Sequence, residues 1–205
     1  MAKKSAKPAS AAVALDRRKV VTALVRDRGN ALVVTGLGSS TYDTYAVGDH
    51  PLNFYLWGAM GGAAMLGLGL ALAQPKRRVL VITGDGEMLM GLGSLATIAV
   101  DAPKNLAIAV INNGHYGETG MQRAHTSRGV DLTGVAKATG FTSATTIKTN
   151  ADLQAWLAVF HRKPGPVFGD IQVSSVPAPM ALPVRDGTAI KYRFREALLG
   201  KAAFE

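Results

Sequence analysis

The residues of this chain best suited to hold a metal and a phosphate lie in two short polar turns, Gly84-Asp85-Gly86 and Asn112-Asn113. Asp85 offers a charged oxygen and Asn113 a neutral one. Mg²⁺ prefers oxygen ligands, and usually takes one or two from the protein and the rest from phosphate and water. Neighbouring glycines let the backbone approach a phosphate, because no Cβ is in the way. The two turns therefore predict a site for a magnesium-bound diphosphate rather than for a bare metal.

Each turn follows a short apolar run, which indicates that both turns end buried strands. Val79–Thr83 and Leu106–Ile111 are rich in Val and Ile, as parallel strands buried on both faces are. The segment between them, Met88–Val100, has the length and composition of one crossover helix. A right-handed crossover brings the carboxyl ends of both strands to the same sheet edge, where open α/β sheets bind ligands. We therefore expect Asp85 and Asn113 to face one crevice.

The rest of the chain continues this unit as an α/β fold, a doubly wound and mostly parallel sheet with helices on both faces. We expect a single domain over 15–200, preceded by a disordered basic tail over 1–14 that contains three lysines. The other predicted elements are the strand Ala31–Thr35, a Gly/Ala-rich helix ending at Ala73, the helix Asp131–Thr139 with Asp131 as N-cap, the strand Phe141–Ile147, a helix from Asn150 to Phe160, the strand Val167–Val173, an extended arm Ser174–Pro183 and the helix Lys191–Leu199.

The two turns and their flanks resemble the signature of thiamine-diphosphate (ThDP) enzymes. The likeness starts at Asn53-Phe54-Tyr55-Leu56-Trp57-Gly58-Ala59-Met60-Gly61, continues through Asp85–Thr97, and ends with Asn112-Asn113-Gly114-His115-Tyr116-Gly117-Glu118-Thr119-Gly120. It covers roughly Leu32 to Val173 and is similar to the cofactor half of phosphonopyruvate and sulfopyruvate decarboxylases. A lone Gly-Asp-Gly is a weak signal, but the spacing, strand context and flanks together are specific.

The resemblance implies a role for each matching position. Asp85, the side chain of Asn113 and the backbone carbonyl of His115 would ligate Mg²⁺. The Gly58 carbonyl would accept a hydrogen bond from the 4′-amino group of the cofactor, and Met60 would be the apolar wedge that keeps the cofactor bent. The full set expected to contact ThDP is Gly36, Gly38, Ser39, Gly58, Ala59, Met60, Gly84, Asp85, Gly86, Glu87, Asn113, His115, Tyr116 and Gly117.

Three residues are candidate catalytic groups under this resemblance, namely Met60, His115 and Glu118. A carboxylate at Glu118 could relay protons near the thiazolium ring, and the alternative is a turn residue with a local hydrogen bond. The His115 ring is free to point at the substrate, because the metal needs only the backbone carbonyl. The loop Gly36–Ser40 would be a second phosphate loop.

The resemblance also implies a partner chain. In this family, a glutamate on a pyrimidine-binding domain activates the cofactor, and no segment here resembles that domain. The chain would therefore be the diphosphate-binding, or β, subunit of a two-subunit enzyme, with the glutamate on an α subunit and an α2β2 or larger assembly. The implied reaction is decarboxylation of a small anionic 2-oxo acid through a thiazolium-stabilised carbanion. An acyloin-forming carboligase subunit and a non-catalytic ThDP-binding module remain as alternatives.

Composition argues against several other classes of protein. The 205 residues include no cysteine, which excludes a disulfide framework and a thiolate metal site. The net charge of +9 fits a solvated basic surface or an electrostatic funnel for anions, and no nucleic-acid-binding motif accompanies it. The uncharged stretch Leu56–Ala73 is interpreted as a packed helix rather than a membrane span, and Lys76-Arg77-Arg78 as a solvated turn. We expect a cytoplasmic protein with neither a nucleic acid nor a membrane as partner.

Overall fold

The computed structural model describes residues 14–204, so nearly all of the predicted basic tail lies outside the described residues. The strands are β1 Leu32–Thr35, β2 Asn53–Tyr55, β3 Val79–Gly84, β4 Leu106–Asn112, β5 His115–Tyr116, β6 Gln122–Arg123, β7 Ser143–Ile147 and β8 Val167–Gln172. The α-helices are α1 Arg17–Arg26, α2 Ser39–Ala46, α3 Ala63–Ala73, α4 Asp85–Met90, α5 Ser94–Asp101, α6 Leu132–Thr139, α7 Asn150–Arg162 and α8 Gly187–Leu199. Short 3₁₀ helices cover Gly117–Thr119, His125–Arg128 and Gly200–Phe204.

Six of the strands form one sheet in the order β2-β1-β3-β4-β8-β7, with every neighbouring pair parallel. Side chains along the central strands alternate between its two faces. Val79 and Val81 belong to a core shared with α3, α5 and α6, whereas Leu80 and Ile82 belong to a core shared with α1 and α7. Both faces are therefore covered by helices, and the predicted doubly wound fold is confirmed.

The crossover between β3 and β4 differs from its prediction. It forms two helices, α4 and α5, and the chain turns at Gly91-Leu92-Gly93 between them. A Cβ atom at Gly91 would lie 2.2 Å from the carbonyl oxygen of Gly61. The crossover is thus interrupted where the loop before α3 approaches it. The prediction of one continuous helix was wrong. It rested on the length and composition of Met88–Val100, which carry no information about a backbone contact with another loop.

Several helix boundaries also differ from the predicted ones. Two helices, α1 and α2, were not predicted at all, and α8 begins before Lys191, where the side chain of Asp186 accepts hydrogen bonds from two N–H groups of its first turn. The N-cap of α7 is Thr149, which forms a capping box with Asp152. Asp131 precedes α6, but its side chain makes no capping hydrogen bond. The predicted αL ending at Gly140 is present.

The basic run before β3 is structural rather than a simple solvated turn. The Arg78 guanidinium donates to the carbonyl oxygens of Phe160 and Lys163, which belong to the end of α7, where carbonyl groups lack helical partners. Burial lowers the pKa of Arg78 to about 10. Arg77 donates to the Asn30 carbonyl. The run therefore ties the loops on one side of the sheet together.

The helix α3 is packed on only one side. Ala64, Gly67 and Leu68 are buried, and a Cβ atom at Gly67 would lie 2.3 Å from Val81. The opposite side exposes apolar side chains, with Leu72 at 55% exposure. The predicted packed helix is therefore packed along one side only. No helix within residues 14–204 has the length and apolar character needed to cross a bilayer.

Candidate active site

The carboxyl ends of the central strands border a cleft of about 330 Å³. The predicted site residues that line it are Ser39, Met60, Gly84, Asp85, Gly86, Glu87, Asn113, His115, Tyr116, Gly117 and Glu118. Four others, Gly36, Gly38, Gly58 and Ala59, belong to the loops around the cleft but do not line it. Residues from two polar turns that are separated in sequence therefore meet at one sheet edge, as the crossover geometry requires.

Asp85 is the first residue of α4 and lies where β3 ends beside β4. Its side chain is buried, with 1% exposure. Burial raises the pKa of this carboxyl group, and hydrogen bonds from the Thr126 hydroxyl and from the N–H groups of Asn113 and Gly86 act in the opposite direction. A buried carboxylate held by several donors is fixed in orientation, so it is ready to accept a cation.

The amide turn after β4 is organised by its own side chains. The Asn113 Oδ1 accepts a hydrogen bond from the His115 N–H at 2.9 Å. The His115 Nδ1 lies 2.8 Å from the Asn113 carbonyl oxygen, and since a carbonyl can only accept, Nδ1 carries the proton. In the neutral ring, Nε2 is then an acceptor. The turn thus presents one amide oxygen with a second lone pair and one imidazole with a basic nitrogen.

The two turns approach so closely that a glycine is required between them. A Cβ atom at Gly86 would lie 2.6 Å from the ring of Tyr116. A Cβ atom at Gly117 would lie 3.9 Å from the hydroxyl oxygen of Ser39. The loop after β1, which carries Ser39, therefore reaches the same place. Three loops therefore meet around one small volume, where Gly86 and Gly117 add no side chain of their own and the Tyr116 ring and the Ser39 hydroxyl lie against them.

The donor set fits a magnesium diphosphate. Asp85 and Asn113 supply oxygens, and the His115 carbonyl would supply a third. Residues 14–204 contain no group of three or more His, Cys, Asp or Glu side chains that could hold a metal. A Mg²⁺ with few protein ligands leaves coordination positions for phosphate oxygens.

The carboxylate of Glu87 lies between the loop after β1 and the loop that leads into α3. Its Oε2 accepts a hydrogen bond from the Thr83 hydroxyl at 2.7 Å, and backbone N–H groups of Leu37, Gly61 and Ala63 also face the carboxyl group. A Cβ atom at Gly36 would lie 1.4 Å from Oε2. Burial raises the pKa of this carboxyl group. Glu87 therefore packs against the loop after β1, and its carboxylate leaves no room for a side chain at position 36.

The carboxylate of Glu118 accepts a hydrogen bond from another element of the fold rather than a local one within its own turn. Its Oε2 accepts from the Tyr42 hydroxyl at 2.9 Å. Burial and this hydrogen bond raise the pKa of Tyr42 to about 12, so the phenol keeps its proton. Glu118 also lies against Gly38, where a Cβ atom would be 2.9 Å from its side chain. The pair joins the loop after β5 to α2 at the cleft wall.

Met60 lies in the loop that leads into α3. Gly58 and Gly61 adopt positive φ angles of 72° and 89°, a conformation that glycine adopts without strain. Between them Met60 keeps 40% exposure and borders the cleft. This loop presents a large apolar side chain at the cleft mouth on a backbone that its two glycines bend.

Three residues that shape the cleft were not predicted from the sequence. Arg17 lines it, and its Nε donates to the fully buried carboxylate of Asp43 on α2. Thr126 covers Asp85 from the 3₁₀ helix after β6. Each contact depends on how separate elements pack, so no local pattern could have indicated it. The other three histidines of the chain, His50, His125 and His161, do not line the cleft.

The fold and the cleft together define a class of protein, namely α/β domains with a ligand cleft at the carboxyl ends of a parallel sheet. The sequence comparison makes this assignment specific. Residues 36–171 match the family model described as thiamine pyrophosphate enzyme, C-terminal TPP binding domain. The chain therefore belongs to the thiamine pyrophosphate enzyme family, and the resemblance noted in the sequence is confirmed.

Two relatives illustrate how the chain relates to characterised proteins. It is 36% identical over 186 residues to sulfopyruvate decarboxylase subunit beta of Methanothermobacter thermautotrophicus, covering 91% of this chain and 97% of the relative. It is 42% identical over 150 residues to phosphonopyruvate decarboxylase of Streptomyces viridochromogenes, covering 73% of this chain but 36% of the relative. The chain thus spans almost all of a protein named as a subunit, and about a third of a longer decarboxylase.

A solved structure from Mycobacterium smegmatis, described as a thiamin diphosphate-dependent enzyme, has a similar fold. The TM-score is 0.67 at 22% sequence identity, over 79% of this chain and 32% of that one. At this identity the likeness shows the fold alone, and it agrees with the sheet order and helix layers described above.

Proposed function

We propose that residues 15–200 form a single diphosphate-binding domain, and that the chain is the β subunit of a two-subunit 2-oxo-acid decarboxylase dependent on ThDP and Mg²⁺. The observation that carries the proposal is the cleft itself, where Asp85, Asn113 and the His115 turn meet beside Gly86. The match to a β subunit over almost the whole of both chains supports the subunit assignment.

In this proposal each cleft residue has one task. Asp85 Oδ, Asn113 Oδ1 and the His115 carbonyl hold Mg²⁺, and the backbone around Gly86 and the 114–116 turn surrounds the diphosphate. The Gly58 carbonyl accepts a hydrogen bond from the cofactor's aminopyrimidine group. The buried position of Asp85 and the oxygen-only ligand set support the metal assignment.

When bound, ThDP supplies an electron sink for the electron pair released as CO₂ departs. The chain's own contribution is positional. Met60 orients the cofactor by contact at the cleft mouth, and the unprotonated Nε2 of His115 is available to accept a proton from a substrate group. Glu118 holds the loop at the cleft wall through Tyr42. The activating glutamate comes from a pyrimidine-binding α subunit, and the assembly is α2β2 or larger.

The substrate class in this proposal is a small 2-oxo acid with a second anionic group. The relatives are named for sulfopyruvate and phosphonopyruvate, and each of those acids carries such a group. The partner would supply the remaining walls of the substrate pocket.

Co-expression with the neighbouring reading frame tests the proposal. We expect a stable complex with bound ThDP and Mg²⁺ that releases CO₂ from sulfopyruvate or phosphonopyruvate faster than from pyruvate. A complex that binds ThDP and joins the decarboxylated fragment of one oxo acid to a second oxo acid would identify a carboligase instead. A chain that turns over without any partner would contradict the two-subunit proposal, and a complex that binds no ThDP would contradict the cofactor site.

A further inference from the structure

Arg17 is a buried cation in the cleft to which the proposed function gives no task. It is the first residue of α1 and retains 9% exposure. Among the described residues that line the cleft, it is the only lysine or arginine. The other charged side chains that line it are carboxylates of Asp85, Glu87 and Glu118. A cleft meant for anionic molecules therefore has one protein cation, and its placement matters.

The hydrogen bonding of Arg17 leaves most of its donors unused. Nε donates to Asp43, and within residues 14–204 the guanidinium makes no other hydrogen bond. A guanidinium carries five N–H donors. In the described part of the chain, several polar atoms are enclosed and have no hydrogen-bond partner, and the two terminal nitrogens of Arg17 are not among them. Arg17 keeps 9% exposure and lines the cleft, so its remaining donors belong to the cleft wall.

The surroundings of these free donors suit a tetrahedral oxyanion. Asp43 lies one turn after Ser39 on α2, so its partner Arg17 lies beside the first turn of that helix. Ser39 and Ser40 both line the cleft there. Serine hydroxyls and the start of a helix favour an anion, and the planar guanidinium fork matches phosphate, phosphonate or sulfonate oxygens. Asp43 fixes the fork through Nε without occupying its outer edge.

We propose that Arg17 binds a phosphoryl or sulfonyl oxyanion in the cleft, supplied by the terminal phosphate of ThDP or by the acidic tail of the substrate. This inference rests on the proposed function and adds to it a recognition residue outside the two polar turns. Arg17 is then the cation that discriminates in favour of a molecule with this anion.

The chain contains a matched control for Arg17. Arg18 also bonds to Asp43, with its Nη2 3.0 Å from Oδ1, but it does not line the cleft and reaches the Pro179 carbonyl instead. Arg17→Met and Arg18→Met each remove one cation from the Asp43 pair and leave the other in place. A structural effect of weakening this pair appears in both variants, whereas an effect on the oxyanion appears only in the first.

The experiment uses the complex with the α subunit. Calorimetric titration with Mg-ThDP and with thiamine monophosphate measures cofactor affinity, and steady-state assays measure KM for sulfopyruvate, phosphonopyruvate and pyruvate. We expect Arg17→Met to weaken one of these interactions roughly tenfold or more, as the loss of a charge-assisted hydrogen bond does. Arg17→Lys should fall between Arg17→Met and wild type, because lysine keeps the charge but loses the fork. Arg18→Met should behave as wild type.

The outcomes separate the two sources of the anion. Weaker Mg-ThDP binding, with less loss for thiamine monophosphate, assigns Arg17 to the cofactor phosphate. An unchanged ThDP affinity with a raised KM for the sulfonate or phosphonate acid, but not for pyruvate, assigns it to the substrate tail. Unchanged values for all of these in Arg17→Met overturn the inference. If that variant does not fold, unchanged values in Arg17→Lys overturn it equally. A wild-type complex that binds no ThDP overturns the proposed function first.

Discussion

At the scale of single residues, the site depends most on one buried carboxylate. Asp85→Ala removes the charged oxygen of the proposed metal set, and we expect it to abolish Mg²⁺-dependent ThDP binding while the domain stays folded. The fold should survive because removing a buried carboxyl group also removes its desolvation cost. Titration calorimetry with and without Mg²⁺, beside circular dichroism melting, checks both halves of this prediction.

The control for that variant is Asp101→Ala, which removes an exposed carboxylate at the end of α5, outside the cleft. It should bind Mg-ThDP like the wild type. Equal ThDP affinity in Asp85→Ala and Asp101→Ala would show that Asp85 is not a ligand, whatever the state of the rest of the cleft.

A second buried carboxylate, Asp170 on β8, predicts a pH dependence of stability. Its pKa is raised to about 6, mainly by burial and also by the neighbouring charges of Asp85 and Asp131, while the hydrogen bond from Asn112 and the charge of Lys148 act in the opposite direction. The folded state therefore holds this proton more tightly than the unfolded state does. Between about pH 4 and pH 6 the contribution of Asp170 to stability falls as pH rises, and it stays low above that window.

Asp170→Asn should remove this loss of stability at higher pH, because an amide does not ionise. In the wild type, Asn112 Nδ2 donates to Asp170 Oδ1 at 2.9 Å, and the amide oxygen of the variant can still accept that hydrogen bond. We expect the variant to be more stable than wild type by roughly 2–3 kcal/mol at pH 7.5 and by only about 1 kcal/mol at pH 4.5. Urea unfolding of the metal-free chain at both pH values measures this difference. A variant equally or less stable at pH 7.5 would contradict the prediction.

At the scale of elements, the break between α4 and α5 supports the loop that carries Met60. Gly91→Ala would bring its Cβ to 2.2 Å from the Gly61 carbonyl oxygen and to 3.0 Å from the carbonyl carbon. Since these are backbone atoms, the loop itself must move. We expect a loss of about 1–3 kcal/mol in the free energy of unfolding, together with weaker ThDP binding.

Gly93→Ala is the matched control for the same break. Its φ of −61° suits alanine, and nothing lies within 4 Å of the added Cβ. It should leave ThDP affinity unchanged and alter stability by about +0.4 to +1 kcal/mol, through the reduced entropy of the unfolded chain. Denaturant unfolding and titration of both variants measure these effects, and similar ThDP affinities in the two would mean that the loop does not depend on this contact.

These elements also show what the sequence could predict. The strands β3 and β4 and the turns after them were predictable, because apolar runs that end in Gly or Asn punctuation carry a local signal. The break at Gly91 was not, because its cause is a backbone from another element. Arg17, Asp43 and Thr126 escaped prediction for the same reason, since their contacts with the cleft join segments far apart in the chain.

At the scale of the whole molecule, α3 presents an exposed apolar surface that begins near the cleft and runs away from it. Met65, Gly69 and Leu72 are exposed at helical spacing along one side, and α3 begins directly after the Met60 loop and ends shortly before β3 starts. A partner subunit that closes the cleft and extends along α3 would cover this side of the helix. Apolar surface of this kind commonly belongs to an interface rather than to solvent. We expect it to be covered in the complex with the α subunit.

The variant Leu72→Glu tests this surface, with Val100→Glu as control, because Val100 is 85% exposed on α5 and does not line the cleft. Both variants add one negative charge at an exposed apolar position, so both chains should fold and melt as wild type does. Leu72→Glu should weaken assembly roughly tenfold or more, since burying an unpaired carboxylate in an interface is costly, whereas Val100→Glu should assemble normally. Sedimentation of the mixed subunits measures the affinity. Normal assembly of Leu72→Glu would place the partner on another face of the domain.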